Sequence, residues 1–154
     1  MLTFDECLKR RMRGGKHELE HNTYLIRKDH DTFAVRLYAT DVILIHRDGT
    51  FTLDSGGHRT VTTKDRMNRY CRPCRIHQAG FVWKYNIRVW NGRSVAFFDG
   101  LRIDDEGQVL NHPAEVESAA KGAGFDLSDP EDRPYFHDWC LDHRPELVAM
   151  LEAP

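Results

Sequence analysis

The residue types best suited to holding a ligand lie together in one short stretch of the chain. Gly56 and Gly57 allow the backbone to turn sharply and to approach a ligand closely. After this turn the sequence predicts a short helix over residues 63–71, capped by Thr62 or Thr63. The unpaired N–H groups and the dipole at a helix start favour an anion. The stretch therefore predicts a binding site for a phosphate group.

Basic side chains surround the predicted start of this helix. Residues 59–75 contain six Lys or Arg and a single acidic residue, Asp65. Planar guanidinium groups suit phosphate well, and four cations are predicted to supply the charge: Arg59, Lys64, Arg66 and Arg69. The spacing of a Walker loop, G-x-x-x-x-G-K-[ST], is missing. The alternative interpretation is a tight turn, a capped helix and a solvated basic face.

A predicted strand over residues 81–90 adds a second candidate surface. One face carries three large rings and is expected to point inward: Phe81, Trp83 and Tyr85. The opposite face mixes cations with an aromatic ring: Val82, Lys84, Asn86, Arg88 and Trp90. Such a face can stack bases and hold phosphates. The alternative is that Trp90 covers a sheet edge or packs under the C-terminal helices.

Two cysteine-containing pairs have the spacing of zinc ligands. Cys71 and Cys74 form a C-x2-C pair, and Cys140 and His143 lie three residues apart on one face of a predicted helix. Together they would make a tetrahedral set. The alternative is that Cys71 and Cys140 fall on apolar faces, where a free cysteine behaves as a small hydrophobic residue. Zinc is therefore a possible cofactor, and no other cofactor is indicated.

Residues 17–21 fit the metalloprotease motif H-E-x-x-H literally. That motif requires a long helix, which places both imidazoles on one face. Here Gly14 and Gly15 precede it and a strand-like segment follows it, so protease chemistry is not predicted. No motif in the chain indicates a reaction, and an enzyme is less favoured than a binding protein.

The elements that position these residues follow from periodicity and turn signals. A capping box at Thr3 and Glu6 begins an N-terminal helix, and Gly14-Gly15 ends it. Alternating apolar residues then predict strands joined by tight turns at Asp48-Gly49 and Asn91-Gly92. Helical patterns return after His112, with a second capping box predicted at residues 128–131. Strands and helices are segregated, which predicts an α+β fold with an antiparallel sheet.

Charge divides the 154 residues into two unlike parts. Residues 1–103 carry 19 Lys or Arg against 11 Asp or Glu, whereas residues 104–154 carry 3 against 13. We expect one domain, with a basic sheet-rich body (1–110) and an acidic helical C-terminal segment (111–154). The segment either neutralises the body or regulates access to it. Apolar runs reach only four residues, which argues against a membrane span. Four cysteines without a secretory signal favour a reducing compartment.

Several segments of the body together carry a family resemblance: residues 22–25, 34–37, 40–42, 48–49, 55–68 and 98–103. This pattern resembles a small family of bacteriophage proteins to which no activity is assigned. The resemblance covers about residues 1–110 and is most specific over 55–68. It implies a cytoplasmic phage accessory product that contacts host machinery or nucleic acid. The cysteine pair and the acidic segment lie outside the pattern.

The leading hypothesis is a non-enzymatic binding protein that engages a nucleic acid or a nucleotide through the glycine turn and the basic helix. One alternative is an inhibitor of a host defence system that binds a host protein through the same surface or the acidic segment. A second alternative is a zinc-binding protein. Membrane association is not expected, and the cytoplasm is the expected location.

Overall fold

The protein, analysed as a computed structural model, is described over residues 2–86 and 94–151. Five helices lie in this part: α1 (Phe4–Leu8), α2 (Val61–Tyr70), α3 (Ala114–Ala123), α4 (Asp132–His143) and α5 (Pro145–Leu151). The strands are β1 (Lys16–Glu20), β2 (Thr23–Asp29), β3 (Thr32–Leu37), β4 (Thr40–His46), β5 (Phe51–Leu53), β6 (Ile76–Ala79), β7 (Val82–Asn86), β8 (Ser94–Ala96) and β9 (Leu101–Ile103). The architecture is α+β, as predicted.

The larger sheet has six antiparallel strands in the order β1-β2-β3-β4-β5-β9. Leu25, Val35, Ile43 and Leu53 follow one another across it in register, and all are fully buried. Because side chains alternate along a strand, the apolar residues share one face. That face, with α1 and α2 against it, forms the main core. The Asp48-Gly49 turn between β4 and β5 is confirmed.

The smaller sheet, in the order β6-β7-β8, is inserted between two neighbouring strands of the larger one. The chain leaves β5, forms α2 and this sheet, and returns as β9 to pair with β5. Trp83 and Tyr85 on β7 are buried in the main core. The predicted turn at Asn91-Gly92, and the predicted face positions Arg88 and Trp90, lie outside the described residues.

The C-terminal helices pack on a hydrophobic cluster of their own. Val116, Ala120, Phe136, Cys140 and Leu147 are its most buried members, and none of them belongs to the main core. Helix α5 lies beside β8 of the small sheet. Within residues 2–86 and 94–151, no helix is long and apolar enough to span a bilayer.

Several predicted boundaries are wrong for local reasons. The capping box at Thr3 forms, with the Glu6 N–H donating to its hydroxyl at 3.2 Å, but α1 ends at Leu8 rather than near Gly14. A bridge between Arg13 and Lys16 turns the chain there and starts β1, which the sequence analysis did not predict. Strand β6 was also missed.

The predicted capping box at residues 128–131 does not form. The Ser128 hydroxyl donates to the Asp126 carboxylate at 2.6 Å, and the Glu131 N–H donates to Asp129 at 2.9 Å. Helix α4 begins only at Asp132, without a side-chain cap. Aspartates two residues upstream therefore outcompete the predicted cap, as is common in Asx turns.

Candidate anion-binding site

The glycine turn is held in place by hydrogen bonds to the loop that joins β8 and β9. The N–H and the hydroxyl of Ser55 both donate to Oδ1 of Asp99, each at 2.7 Å, and Ser55 is fully buried. Asp99 lies between β8 and β9. Two segments of the family resemblance, 55–68 and 98–103, therefore meet here, although they are far apart in the chain.

Gly56 and Gly57 adopt the left-handed backbone that favours glycine, with φ of +60° and +82°. A Cβ added to Gly56 would lie 2.6 Å from Cγ2 of Thr40, so only glycine fits against β4 there. The Gly56 N–H donates to the Asp54 carboxylate at 2.7 Å and so already has an acceptor. Gly57 instead has open space at its Cα, and of the two glycines it is the better placed to approach a ligand.

Helix α2 begins two residues earlier than predicted, and its cap is Thr60 rather than Thr62 or Thr63. Thr60 is extended (φ −100°, ψ 162°), and its hydroxyl accepts the Thr63 N–H at 3.1 Å. Thr63 is buried, whereas Thr62 is exposed. The first-turn N–H groups, which have no acceptor within the helix, therefore belong to Val61 and Thr62.

Arg59 precedes the start of α2, and its guanidinium lies over two aromatic rings. Its guanidinium carbon lies 4.7 Å from the ring centre of Phe97 and 5.4 Å from that of Trp83. Its nearest carboxylate oxygen, on Asp99, is 3.8 Å away, and its side chain is 40% exposed. Stacking orients a guanidinium while leaving its N–H fork available. Arg59 can therefore receive an anion from solvent.

Lys64 lies one turn further along α2 and has a weak neutral contact. Its ammonium is 3.5 Å from Oε1 of Gln78 on β6, the limit of a hydrogen bond. The first turn of α2 contains no acidic residue. Arg59 therefore has one long ion pair, with Asp99, and Lys64 has only the contact with Gln78.

Arg66 and Arg69, by contrast, are neutralised within the protein. Glu20 on β1 contacts both guanidinium groups at 2.7 Å, and Asp65 contacts Arg69 at 3.0 Å. Arg66 also donates to Thr23 at 3.0 Å. We expected all four cations to face a ligand. Two are instead committed to internal carboxylates, and these come from β1 and α2, not from the acidic C-terminal segment.

Tyr70 completes this network by donating its hydroxyl to Glu20. That hydrogen bond, with those from Arg69 and the positive charges of Arg66 and Arg69, lowers the pKa of the Glu20 carboxyl. Partial burial and the hydrogen bond to Glu20 raise the pKa of Tyr70 to about 12. The network ties α2 to the edge strand β1 and is structural in character.

The candidate zinc ligands occupy two different places. Cys71 and Cys74 follow α2 in the main core, where burial raises the pKa of the Cys71 thiol. Cys140 belongs to the C-terminal cluster, and His143 is exposed and stacks on Trp139. Across the described ranges, no group of three or more His, Cys, Asp or Glu is placed to hold a metal. Zinc binding stays a prediction that metal analysis of the purified protein can test.

One exposed ring was missed by the sequence analysis. Phe81 was expected to point inward with Trp83 and Tyr85, but it lies in the β6–β7 turn and is 96% exposed. Its φ of +64° breaks the alternation that governs the rest of β7. The signal was Gly80, which precedes Phe81 and favours a turn.

The match to a known protein family covers the two sheets and ends before the C-terminal helices. Residues 5–104, which include β1 to β9, the glycine turn and α2, match the family described as Kyanoviridae Gp96 protein. The chain belongs to the Kyanoviridae Gp96 family. Its membership confirms the resemblance to a phage family. Helices α3 to α5 lie outside the part of the chain that matches the family. No curated protein and no solved structure matches the chain.

Proposed function

We propose that this protein is a non-enzymatic binding protein that holds the phosphate groups of a nucleic acid or nucleotide at the start of α2. It would act in the cytoplasm of the host cell. The observation that carries the proposal is the state of Arg59, whose guanidinium is oriented by two aromatic rings and lies 3.8 Å from its nearest carboxylate oxygen.

Three kinds of donor belong to this segment of the chain. Arg59 offers a planar guanidinium, and Lys64 offers a compact ammonium. The first-turn N–H groups of α2 lie at the positive end of the helix dipole. Gly57 allows a ligand to approach the backbone. Such a set recognises phosphate without providing a nucleophile or a general base, which favours binding over catalysis.

The internal pairing of Arg66 and Arg69 sets the expected strength of binding. If Arg59 and Lys64 each contact one phosphate, the log–log salt dependence has a slope of about −1.4 to −1.8. Engagement of all four cations would make the slope about twice as steep. The slope of the salt dependence therefore indicates how many of the four cations contact phosphates.

The test is a fluorescence titration of labelled oligonucleotide between about 50 and 200 mM salt. We expect the double substitution Arg59→Gln and Lys64→Gln to weaken binding by about tenfold or more. The matched control is Lys9→Gln with Arg10→Gln, which removes one Lys and one Arg charge from the exposed surface beside α1. Equal losses in both variants, or binding that does not change with salt, would overturn the proposal.

A second candidate function is inhibition of a host defence protein through the acidic helices. Its support is the separate packing of α3 to α5 in the strongly acidic part of the chain, beyond the residues that match the family. This candidate predicts capture of a host protein that persists after nuclease treatment and requires the acidic helices. Capture that disappears with nuclease favours the phosphate-binding proposal.

A further inference from the structure

The tip of the β6–β7 hairpin presents a phenylalanine to solvent. Gly80 and Phe81 form the turn, with φ of +57° and +64°. Phe81 is 96% exposed, and Val82 beside it is 49% exposed. The ring of Phe81 therefore contributes almost nothing to the core of the protein.

This position is unfavourable for a bulky residue. A left-handed backbone is uncommon for residues with a side chain, and glycine adopts it without that cost. An exposed apolar ring on a strained turn is not explained by folding stability. A role in contacting a partner accounts for both features.

The charge around the hairpin indicates the chemistry of that partner. Residues 66–98 contain seven Lys or Arg and no Asp or Glu. On the outward face of the hairpin, His77 lies opposite Lys84 in register, and Arg75 precedes β6. Arg66 and Arg69 in this range are paired with Glu20 and Asp65, whereas Arg75, His77 and Lys84 give the outward side of the hairpin basic side chains. An exposed ring beside such a face is complementary to a polyanion that also offers flat apolar surfaces.

The hairpin tip is continuous with the proposed phosphate site. Gln78 and Trp83 are paired in register, next to the last residue pair before the turn, Ala79 and Val82. Lys64 contacts Gln78, and Arg59 lies over Trp83. At about 3.3 Å per residue, Gln78 lies within about 10 Å of the tip. One strand of nucleic acid can reach both places.

We infer that Phe81 stacks on an unpaired base of a single-stranded nucleic acid whose phosphates lie on Arg59 and Lys64. The inference rests on the proposed function and specifies its ligand. Base stacking on aromatic rings is tolerant of sequence because every base has a π-face. Paired bases inside a duplex have both faces covered by their neighbours, so a single strand is the favoured form.

The test compares three probes of equal length, about 12 nucleotides, on the full-length protein. They are a single-stranded oligonucleotide, the same backbone with abasic sites, and a duplex. We expect Phe81→Ala to weaken binding of the single strand by about 5- to 150-fold and to leave the abasic probe unaffected. Phe81→Trp should retain binding, and its fluorescence should be quenched by the bases.

Tyr38→Ala is the matched control because Tyr38 is also an aromatic residue in a hairpin turn, with φ of +53° and 70% exposure. It should bind all probes as the parent does. A Phe81→Ala variant that keeps its full affinity for the single strand, while the Arg59 and Lys64 variant loses it, overturns the inference and leaves the proposed function intact. A preference for the duplex that depends on Phe81 also overturns it. Failure of the parent protein to bind any of the probes, and to bind a free nucleotide, overturns the proposed function itself.

Discussion

Glu20 and Arg66 form an ion pair at 2.7 Å that joins the edge strand β1 to helix α2. Arg69 and Tyr70 bind the same carboxylate. One acidic residue therefore neutralises two cations of the basic helix and fixes the position of the helix against the sheet. This pairing separates the structural cations of α2 from those that remain available to a ligand.

Glu20→Gln is expected to lower the free energy of unfolding above about pH 4.3 and to reduce its pH dependence. The folded protein lowers the pKa of Glu20 below its unfolded value, which is about 4.3. The stabilisation is therefore fully present above that pH and is lost as pH falls through the folded-state pKa. Thermal melting between pH 3 and 7, with Glu18→Gln as a control on the same strand, measures the effect. Identical pH profiles for the Glu20 variant and the parent would contradict it.

Gly56→Ala is expected to destabilise the protein more than Gly57→Ala. Both positions have positive φ, which costs about 1 kcal/mol for alanine, but only the new Cβ at Gly56 would collide with Thr40. Thr40→Ala should therefore recover part of the loss in the double variant, and Gly57→Ala should show no such coupling. Denaturant midpoints measure the parent, the three single variants and the two double variants with Thr40→Ala. Additive effects at Gly56 and Thr40 would show that the contact is unimportant.

Ser55→Ala is expected to cost about 1–2 kcal/mol, because the hydrogen bond from the buried hydroxyl to Asp99 is lost. Asp99→Ala should cost more, since the Ser55 N–H also loses its acceptor. Urea denaturation provides the measurement, and Ser118→Ala on the exposed side of α3 is the control. Equal stability of the Ser55 variant and the control would rule out a bracing role for this pair.

Phe81→Gly is expected to raise the free energy of unfolding slightly, by about 0.5–1 kcal/mol, while abolishing base stacking. Glycine relieves the left-handed strain at φ of +64°, and removal of an exposed ring costs no burial. Thermal melting and oligonucleotide titration should therefore change in opposite directions. A loss of stability would mean that the ring supports the hairpin.

Phe136→Ala is expected to unfold the C-terminal helices while the body stays folded. Phe136 is fully buried in the C-terminal cluster, and large-to-small changes there typically cost about 3–5 kcal/mol. Helical circular dichroism should show an early transition, whereas hydrogen-exchange protection in β2 to β4 should be retained. A single cooperative loss of both signals would indicate that the two clusters fold as one unit.

Sequence reasoning succeeded where the determining contacts are local. The capping box at Thr3 and the hairpin at Asp48-Gly49 depend on residues within four positions of each other, and both form. The helical pattern after His112 is likewise a local signal. The α+β class followed from these signals together.

Sequence reasoning was wrong where contacts between residues far apart in the chain determine the structure. Thr60 rather than Thr62 or Thr63 caps α2, because Thr63 is buried and its N–H donates to the Thr60 hydroxyl. The loss of Arg66 and Arg69 as ligand groups depends on Glu20, far away in the chain. Phe81 continues the alternation of β7 in sequence, and only Gly80 before it indicates the turn that takes its ring out of the core.

The return of β9 to β5 has a kinetic consequence. The large sheet cannot acquire its last strand until α2 and the three-stranded insert have brought the chain back, so closure of this long loop is a slow step. Until then β5 presents an unpaired edge, the kind of surface that recruits a second chain. We therefore expect nascent chains to be most prone to aggregation in the interval between the synthesis of Leu53 and the docking of Leu101.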